Sequence, residues 1–264
     1  MPMVSVIIPV YNCRDFVAGA IESALAQTYR DLEVIVVNDG STDGTESVLA
    51  KFKDRIKIIF QPNGGPAKAR NTGVLSAGGE YVAFLDQDDA WFPEKIETQM
   101  ALFDRNSGLG LVYSDGYIID GGSFDKSGRS DSRFFKGTTP YGGMVFAKLF
   151  AKNFIATSTV VVRKSCFDKI GPFDGTLTPI EDYDRWLRAS LFYAVDFVDK
   201  PLIKYRDHIA TFRKDPVRVW ANIIRTYNGV VRDFPESKRC LGMTFYKRLF
   251  TAYANYLLCK IKIR

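Results

Sequence analysis

Tyr81-Val82-Ala83-Phe84-Leu85-Asp86-Gln87-Asp88-Asp89-Ala90-Trp91 is an apolar run that ends in three carboxylates within four residues. Tyr81 to Leu85 follow Gly78-Gly79 without a charge among them, which predicts a buried parallel strand carrying Asp86, Asp88 and Asp89 at its C-terminal end. In open α/β sheets that edge is where ligands sit. Crowded anions repel one another unless a cation lies between them. Oxygen donors suit hard divalent ions such as Mg2+ or Mn2+, which bind through one or two carboxylates plus substrate phosphates. Residues 86 and 88 share a face in extended chain and can converge on one ion. The plainer alternative is a solvated acidic turn before the helix that Pro93 opens, and Asp89 alone suits that role.

Upstream, the chain alternates between two periods. Val4 to Pro9, apolar but for Ser5, predicts a buried strand, Leu32 to Val37 a second and Ile56 to Phe60 a third. Between them, Phe16, Ala20, Ile21, Ala24 and Leu25 form one stripe of a helix over 15–27. A second helix starts near Asp43, which with Glu46 fits a capping-box variant. Pro66 opens a third, and Gly78 closes it. The acidic strand is the fourth in this alternation, the pattern of a parallel sheet with right-handed crossovers.

Neither G-x-G-x-x-G nor G-x-x-x-x-G-K-[ST] follows the first strand, which disfavours a dinucleotide dehydrogenase or a P-loop enzyme. The first strand delivers Pro9-Val10-Tyr11-Asn12 instead, and the second delivers Asp39. A ring and a carboxylate at neighbouring strand ends can stack on a base and accept its N–H. Asn38-Asp39-Gly40 is equally an ordinary tight turn.

Four stretches in this order, Val4 to Asn12, Val37-Asn38-Asp39-Gly40-Ser41-Thr42-Asp43, Ala69-Arg70-Asn71-Thr72-Gly73 and Phe84 to Asp89, resemble family 2 of the inverting glycosyltransferases, which has the GT-A fold. The resemblance implies an α/β domain with a Rossmann-like, mostly parallel sheet flanked by helices. It assigns Pro9, Tyr11, Asn12, Asp39, Arg70, Asp86 and Gln87 to the nucleotide, and Asp86 and Asp88 to a divalent metal, Mn2+ or Mg2+, with the diphosphate. UDP is preferred because Asp39 can accept the N3–H of uracil, although thymine presents the same donor.

Leu109 to Tyr113 and Tyr117 to Asp120 read as short strands, and Thr157 to Val162 as another. The polar stretch 121–143, with Phe134, Phe135 and Tyr141 embedded, reads as a mobile loop over donor or acceptor, or as disorder. Over Ile180 to Phe192 a helix places Tyr183, Trp186, Leu187 and Leu191 on a core stripe and leaves Glu181, Asp182, Arg185 and Arg188 to other faces. Acids at a helix N-terminus are favourable without any function. Glu181-Asp182-Tyr183-Asp184-Arg185-Trp186-Leu187 is, however, similar to the family's second signature. That likeness implies Asp182 as catalytic base, with Glu181 and Trp186 supporting the acceptor side. The Gln-x-x-Arg-Trp of processive synthases is lacking further on, which implies transfer of a single sugar. His208, the only histidine, sits where related enzymes place a metal or diphosphate ligand; a lone loop histidine is also often simply exposed.

Composition narrows the setting. The 264 residues, 46% hydrophobic and 25% charged, are ordinary globular material. Cysteines 13, 166, 240 and 259 have no paired spacing, which argues for reduced thiols, a cytoplasmic setting and no structural zinc. No window approaches a membrane span. From Glu236 onward, seven basic residues face that one acid, so the tail holds the whole net charge of +6.

The sequence divides into a nucleotide-sugar half (1–105), an acceptor half of the same domain (106–212) and a basic, aromatic helical extension (213–264). In the extension, Trp220, Ile223, Ile224, Tyr227 and Val231 share one face, as do Tyr246, Leu249, Phe250, Tyr253 and Leu257. Those stripes predict packing on the domain or on a second subunit, with contact between 237–264 and the inner face of an anionic membrane as the alternative. Nucleic acid is disfavoured because no binding motif accompanies the charge.

The expected partners are a nucleotide-diphosphate sugar and a saccharide or lipid-linked acceptor of surface polysaccharide synthesis. A sugar nucleotidyltransferase would need a glycine-rich basic loop after the first strand, and a D-x-D-x-[TV] phosphatase fails at Ala90. A non-catalytic sugar-nucleotide or carbohydrate-binding module stays open.

Overall fold

The computed structural model describes residues 2–119, 133–135, 140–206 and 215–262. An eight-stranded sheet runs through it in the order β3-β2-β1-β4-β7-β6-β8-β5. The first four strands, β1 (Val4–Val10), β2 (Leu32–Asn38), β3 (Lys57–Phe60) and β4 (Tyr81–Phe84), are mutually parallel. Helices α1 (Val17–Leu25), α2 (Thr45–Leu49) and α3 (Pro66–Ser76) make the crossovers between them. All seven residues of β1, six of them apolar, are buried, as a strand between two parallel neighbours requires.

The short β5 (Ala90–Trp91) pairs antiparallel with β8 (Ala194–Arg206), and β7 (Val161–Arg163) runs antiparallel to both β4 and β6 (Leu109–Ile119). The two antiparallel pairings of β7 leave β6 running with β4, and β8 pairs parallel with β6, so the sheet is mostly parallel and continuous through both expected halves. Its two faces are covered by separate apolar layers, one around Ile7, Val82 and Trp186, the other around Val6, Ile21 and Phe103.

Several local expectations change. The two short strands predicted over 109–120 are one bent strand, with register shifts at Leu109/Leu111, Ser114/Asp115 and Asp115/Tyr117. Thr157 to Thr159 form a 3-10 turn instead of opening a strand. Asp43 makes no capping box with Glu46; its carboxylate accepts from the Thr45 amide and hydroxyl and from the Arg14 amide, pinning the turn before α2. Phe16 is exposed, lying 4.2 Å beneath the Arg206 guanidinium, and Val17 takes its place in the buried stripe.

Helix α4 (Lys95–Arg105) follows β5, and α5 (Phe146–Ala151) and α6 (Cys166–Ile170) lead to α7 (Glu181–Phe192). Helix α7 is buried nearly all round, including Arg185 and Arg188, which lie off the expected core stripe. Asp184 is the reason: its carboxylate accepts from both guanidiniums, Arg185 also reaches the Ile170 carbonyl, and Arg188 continues to Asp233 at 2.9 Å. Buried charges persist only when paired in this way.

The C-terminal extension consists of α8 (Pro216–Asp233), α9 (Ser237–Leu241) and α10 (Met243–Lys262). Phe150 on α5 stacks on Tyr227 of α8 at 4.1 Å and meets Phe245 of α10 at 6.0 Å. The stripe predicted on α10 divides. Phe245 and Ala252 are buried and Leu249 is partly buried, whereas Tyr246, Phe250, Tyr253 and Leu257 face solvent. Within 121–143, the described residues pack on the sheet, Phe134 against Tyr205 and Phe135 against Tyr113. The rest of that stretch and His208 lie outside the described residues.

Candidate active site

The C-terminal ends of the parallel strands converge on one edge. There the acidic loop after β4 is tied to its neighbours by backbone-level contacts. Gln87 accepts from the Tyr11 amide at 2.7 Å and donates to the Tyr11 carbonyl at 3.2 Å, clamping the end of β1 to the loop. Asn12, at φ 47°, accepts from the Thr42 amide at 2.7 Å, and its own amide donates to Ser41. Tyr11 itself stands out from the surface.

Asp39 is buried and its carboxylate is heavily used: Gln61 Nε2 donates to it at 2.6 Å, the Gly64 amide at 3.0 Å and the Gly65 amide at 2.8 Å. Two carboxylate oxygens offer about four acceptor positions. The 61–65 turn thus takes up most of that capacity.

The three acids of the loop take different roles. Asp89 is buried, accepts from the Ser158 hydroxyl at 2.5 Å and from the Arg206 amide at 2.8 Å, and anchors the loop to β8. Burial, then Asp86 and Asp88, push its carboxyl well above the usual range. Asp86 and Asp88 are half-buried at the mouth of the edge. The Asp86 amide donates to Ser158 Oγ at 3.0 Å, so one hydroxyl holds both ends of the Asp86–Asp89 turn.

Arg70 on α3 lies beneath this loop. Its guanidinium pairs with Asp86 at 2.8 Å and with Glu181 at 2.7 Å. Burial opposes its charge, but Asp86, Glu181 and Asp182 together outweigh burial and hold it above its ordinary value. The side chain reaches its place because Gly73, one turn on, lets α3 approach Ile7 of β1 closely; an added Cβ there would stand 2.4 Å from Ile7 Cγ2.

Asp182 opens α7 on the same edge. Its Oδ2 accepts from the Thr157 hydroxyl at 2.6 Å and its Oδ1 from the Tyr183 amide at 2.7 Å. Burial, then the adjoining Glu181 carboxylate, push its carboxyl up to about 6, against the pull of Arg70, Thr157 and the Tyr183 amide. Trp186, expected to support an acceptor, is fully buried between Phe84 at 5.6 Å and Phe173 at 5.8 Å, where it packs the helix on the sheet. Glu181 is likewise buried on Arg70.

Sequence reasoning did not single out Thr157, Ser158 or Arg206. Thr157-Ser158 was legible only as the start of an apolar strand, and its two hydroxyls gain meaning from partners 25 and 69 residues away.

Residues 5–171 match the model of glycosyl transferase family 2. The chain belongs to that family. Among curated relatives, an uncharacterised glycosyltransferase of Rickettsia prowazekii is 36% identical over 211 residues, covering 79% of this chain and 65% of its own length. The chain thus spans somewhat less than two thirds of that relative. The chondroitin synthase of Pasteurella multocida is 40% identical over 132 residues, 46% of this chain and 14% of the synthase.

Among solved structures, residues 1–349 of S. aureus TarS in complex with UDP-GlcNAc superpose with a TM-score of 0.72 at 22% identity, covering 94% of this chain and 73% of that 1–349 chain. The mannosyltransferase PcManGT of Pyrobaculum calidifontis, in complex with GDP-Man and Mn2+, does so with a TM-score of 0.67 at 19% identity, covering 96% and 74%. These likenesses establish the GT-A fold expected from the sequence.

Proposed function

We propose that this family 2 member is an inverting glycosyltransferase that moves one sugar from a nucleotide-diphosphate sugar to the hydroxyl of a saccharide or lipid-linked acceptor. The observation that carries this reading is the Thr157-Ser158 turn: consecutive residues hold the Asp182 carboxylate and the Asp86–Asp89 loop, so a proton acceptor and a diphosphate-facing acid pair share one edge of the sheet.

Asp182 takes the proton of the acceptor hydroxyl as its oxygen attacks the anomeric carbon. The bond between that carbon and the diphosphate oxygen breaks, the electron pair leaves with the nucleoside diphosphate, and the single displacement inverts the configuration. A carboxylate pushed up to about 6 is a stronger base than an exposed one and still ionised at neutral pH. Arg70 keeps Asp86 aimed at the mouth, and Gln87 fixes the distance from Tyr11, the proposed stacking ring, to the acids.

The donor set fits a hard divalent cation. Asp86 and Asp88 would supply oxygen donors of the kind Mg2+ or Mn2+ takes together with substrate phosphates, and among the described residues no group of three or more His, Cys, Asp or Glu is placed to hold an ion unaided. When bound, such an ion neutralises charge building on the leaving diphosphate. The Mn2+ of PcManGT supports this reading. UDP as carrier is favoured by the UDP-GlcNAc complex of TarS, and polysaccharide synthesis by the name of the Pasteurella relative.

The test is a thermal-shift screen of nucleotide sugars with and without Mn2+, followed by donor hydrolysis, since a ligand of the folded state raises the melting point. Asp182→Asn is expected to keep the metal-dependent shift and lose about 10²- to 10⁴-fold in transfer, the range of a general base. A shift with no release of nucleoside diphosphate by the unaltered protein would favour a binding module.

A further inference from the structure

We propose that helix α10 is a membrane-docking face that seats this chain on an anionic lipid surface. Seven of the 13 exposed large apolar side chains among the described residues belong to this one helix: Met243, Tyr246, Phe250, Tyr253, Leu257, Leu258 and Ile261. Phe250 is 76% and Ile261 69% exposed. At about 3.6 residues per turn, all but Leu258 fall on a single stripe running the length of the helix. Scattered surface apolar residues are ordinary, but a contiguous stripe marks an interaction surface.

The flanks choose the occupant. The same helical geometry sets Lys247 along one border of the stripe and Lys260 along the other, both exposed. No acid occurs from Ser237 to Arg264, a span with seven basic residues. A second copy laid on this face would bring cation against cation with no carboxylate to pair them. An anionic bilayer takes both features together: apolar side chains enter the headgroup boundary while the lysines reach phosphates, their stems lying along the stripe. Tyrosines at Tyr246 and Tyr253 suit that boundary, one end apolar and the other wet. No helix of the described residues is long and apolar enough to cross a membrane, so the helix lies on the surface.

The opposite face of α10 ties this surface to the edge described above. Phe245 packs on Phe150, whose carbonyl accepts from Tyr183 at 3.3 Å, and Tyr183 follows Asp182 in α7. A lipid-borne acceptor would then be met by a rigid path from the bilayer to the base.

Flotation of the full chain with phosphatidylcholine vesicles, with and without phosphatidylglycerol, tests this. Binding is expected only with the anionic lipid and is expected to weaken with salt, because each Lys or Arg near such a surface contributes about fivefold. Phe250→Glu combined with Leu257→Glu should abolish flotation while leaving the melting point unchanged, since both side chains are exposed. Lys247→Gln with Lys260→Gln should lower binding about 25-fold, two such contributions. Failure to float on either vesicle would overturn the proposal. So would a dimer, seen by analytical ultracentrifugation, that the Phe250 and Leu257 variant dissolves, because the face would then be a contact between copies.

Discussion

Thr157 donates its hydroxyl hydrogen to Asp182 at 2.6 Å from a turn whose next residue, Ser158, holds the acidic loop. The bond favours the ionised carboxylate, partly offsetting burial and Glu181. Thr157→Val removes it, so the carboxyl should rise above about 6. Because the base works ionised, the acidic limb of the kcat/KM profile should move to higher pH, with a larger loss at pH 6 than at pH 8. Thr157→Ser should restore the limb. A uniform loss at every pH would mean that the residue only shapes the turn.

Asp182 also links pH to stability. Its folded value of about 6 lies above the ordinary 3.8, so the folded state holds the proton more tightly. The stabilisation is full below pH 3.8 and is lost as pH rises through 6. Urea denaturation between pH 4 and 7 should show a steeper decline for the unaltered chain than for Asp182→Asn, which cannot titrate. Parallel curves would remove this carboxyl as the source.

Arg70 compensates two carboxylates at once. Arg70→Met leaves Glu181 buried without its partner, which should destabilise by about 3–5 kcal/mol. Adding Glu181→Met should recover most of that stability but not the metal-dependent binding of nucleotide, since Asp86 would still lack its restraint. Recovery of both by the double variant would restrict Arg70 to a structural pair.

Ser158→Ala deletes the donor to Asp89 and the acceptor for the Asp86 amide. A loss of about 1–3 kcal/mol is expected from the unsatisfied buried groups. Calorimetry with Mn2+ should show weaker nucleotide binding, as it should for Asp88→Ala, whose fold is expected to be unimpaired. Unchanged binding in Asp88→Ala would take that carboxylate out of the diphosphate site.

Much of this could be read along the chain. The alternation of β1, α1, β2, α2, β3, α3 and β4 appears as a switch between two hydrophobic periods, and Asp86 to Asp89 stand out because charge abruptly ends an apolar strand. Boundaries moved where tertiary partners prevailed over local pattern: Asp43 binds the Arg14 amide instead of Glu46 closing a capping box, and Phe16 yields its core place to Val17. The α10 stripe was visible by its spacing, but the side facing the domain depended on where Phe150 and Tyr227 stood.

By itself, then, the sequence determined the strand-helix alternation, the acids at the end of β4 and the Glu181-Asp182 start of α7, because these signals are carried by near neighbours at fixed spacing. Only the tertiary structure decided that Asp89 is a buried anchor while Asp86 and Asp88 stay half-buried, that Asp39 already accepts from Gln61, Gly64 and Gly65, and that Trp186 belongs to the core. A polar side chain's role follows from which donor folding brings to it, and for Asp182 that donor, Thr157, is 25 residues away.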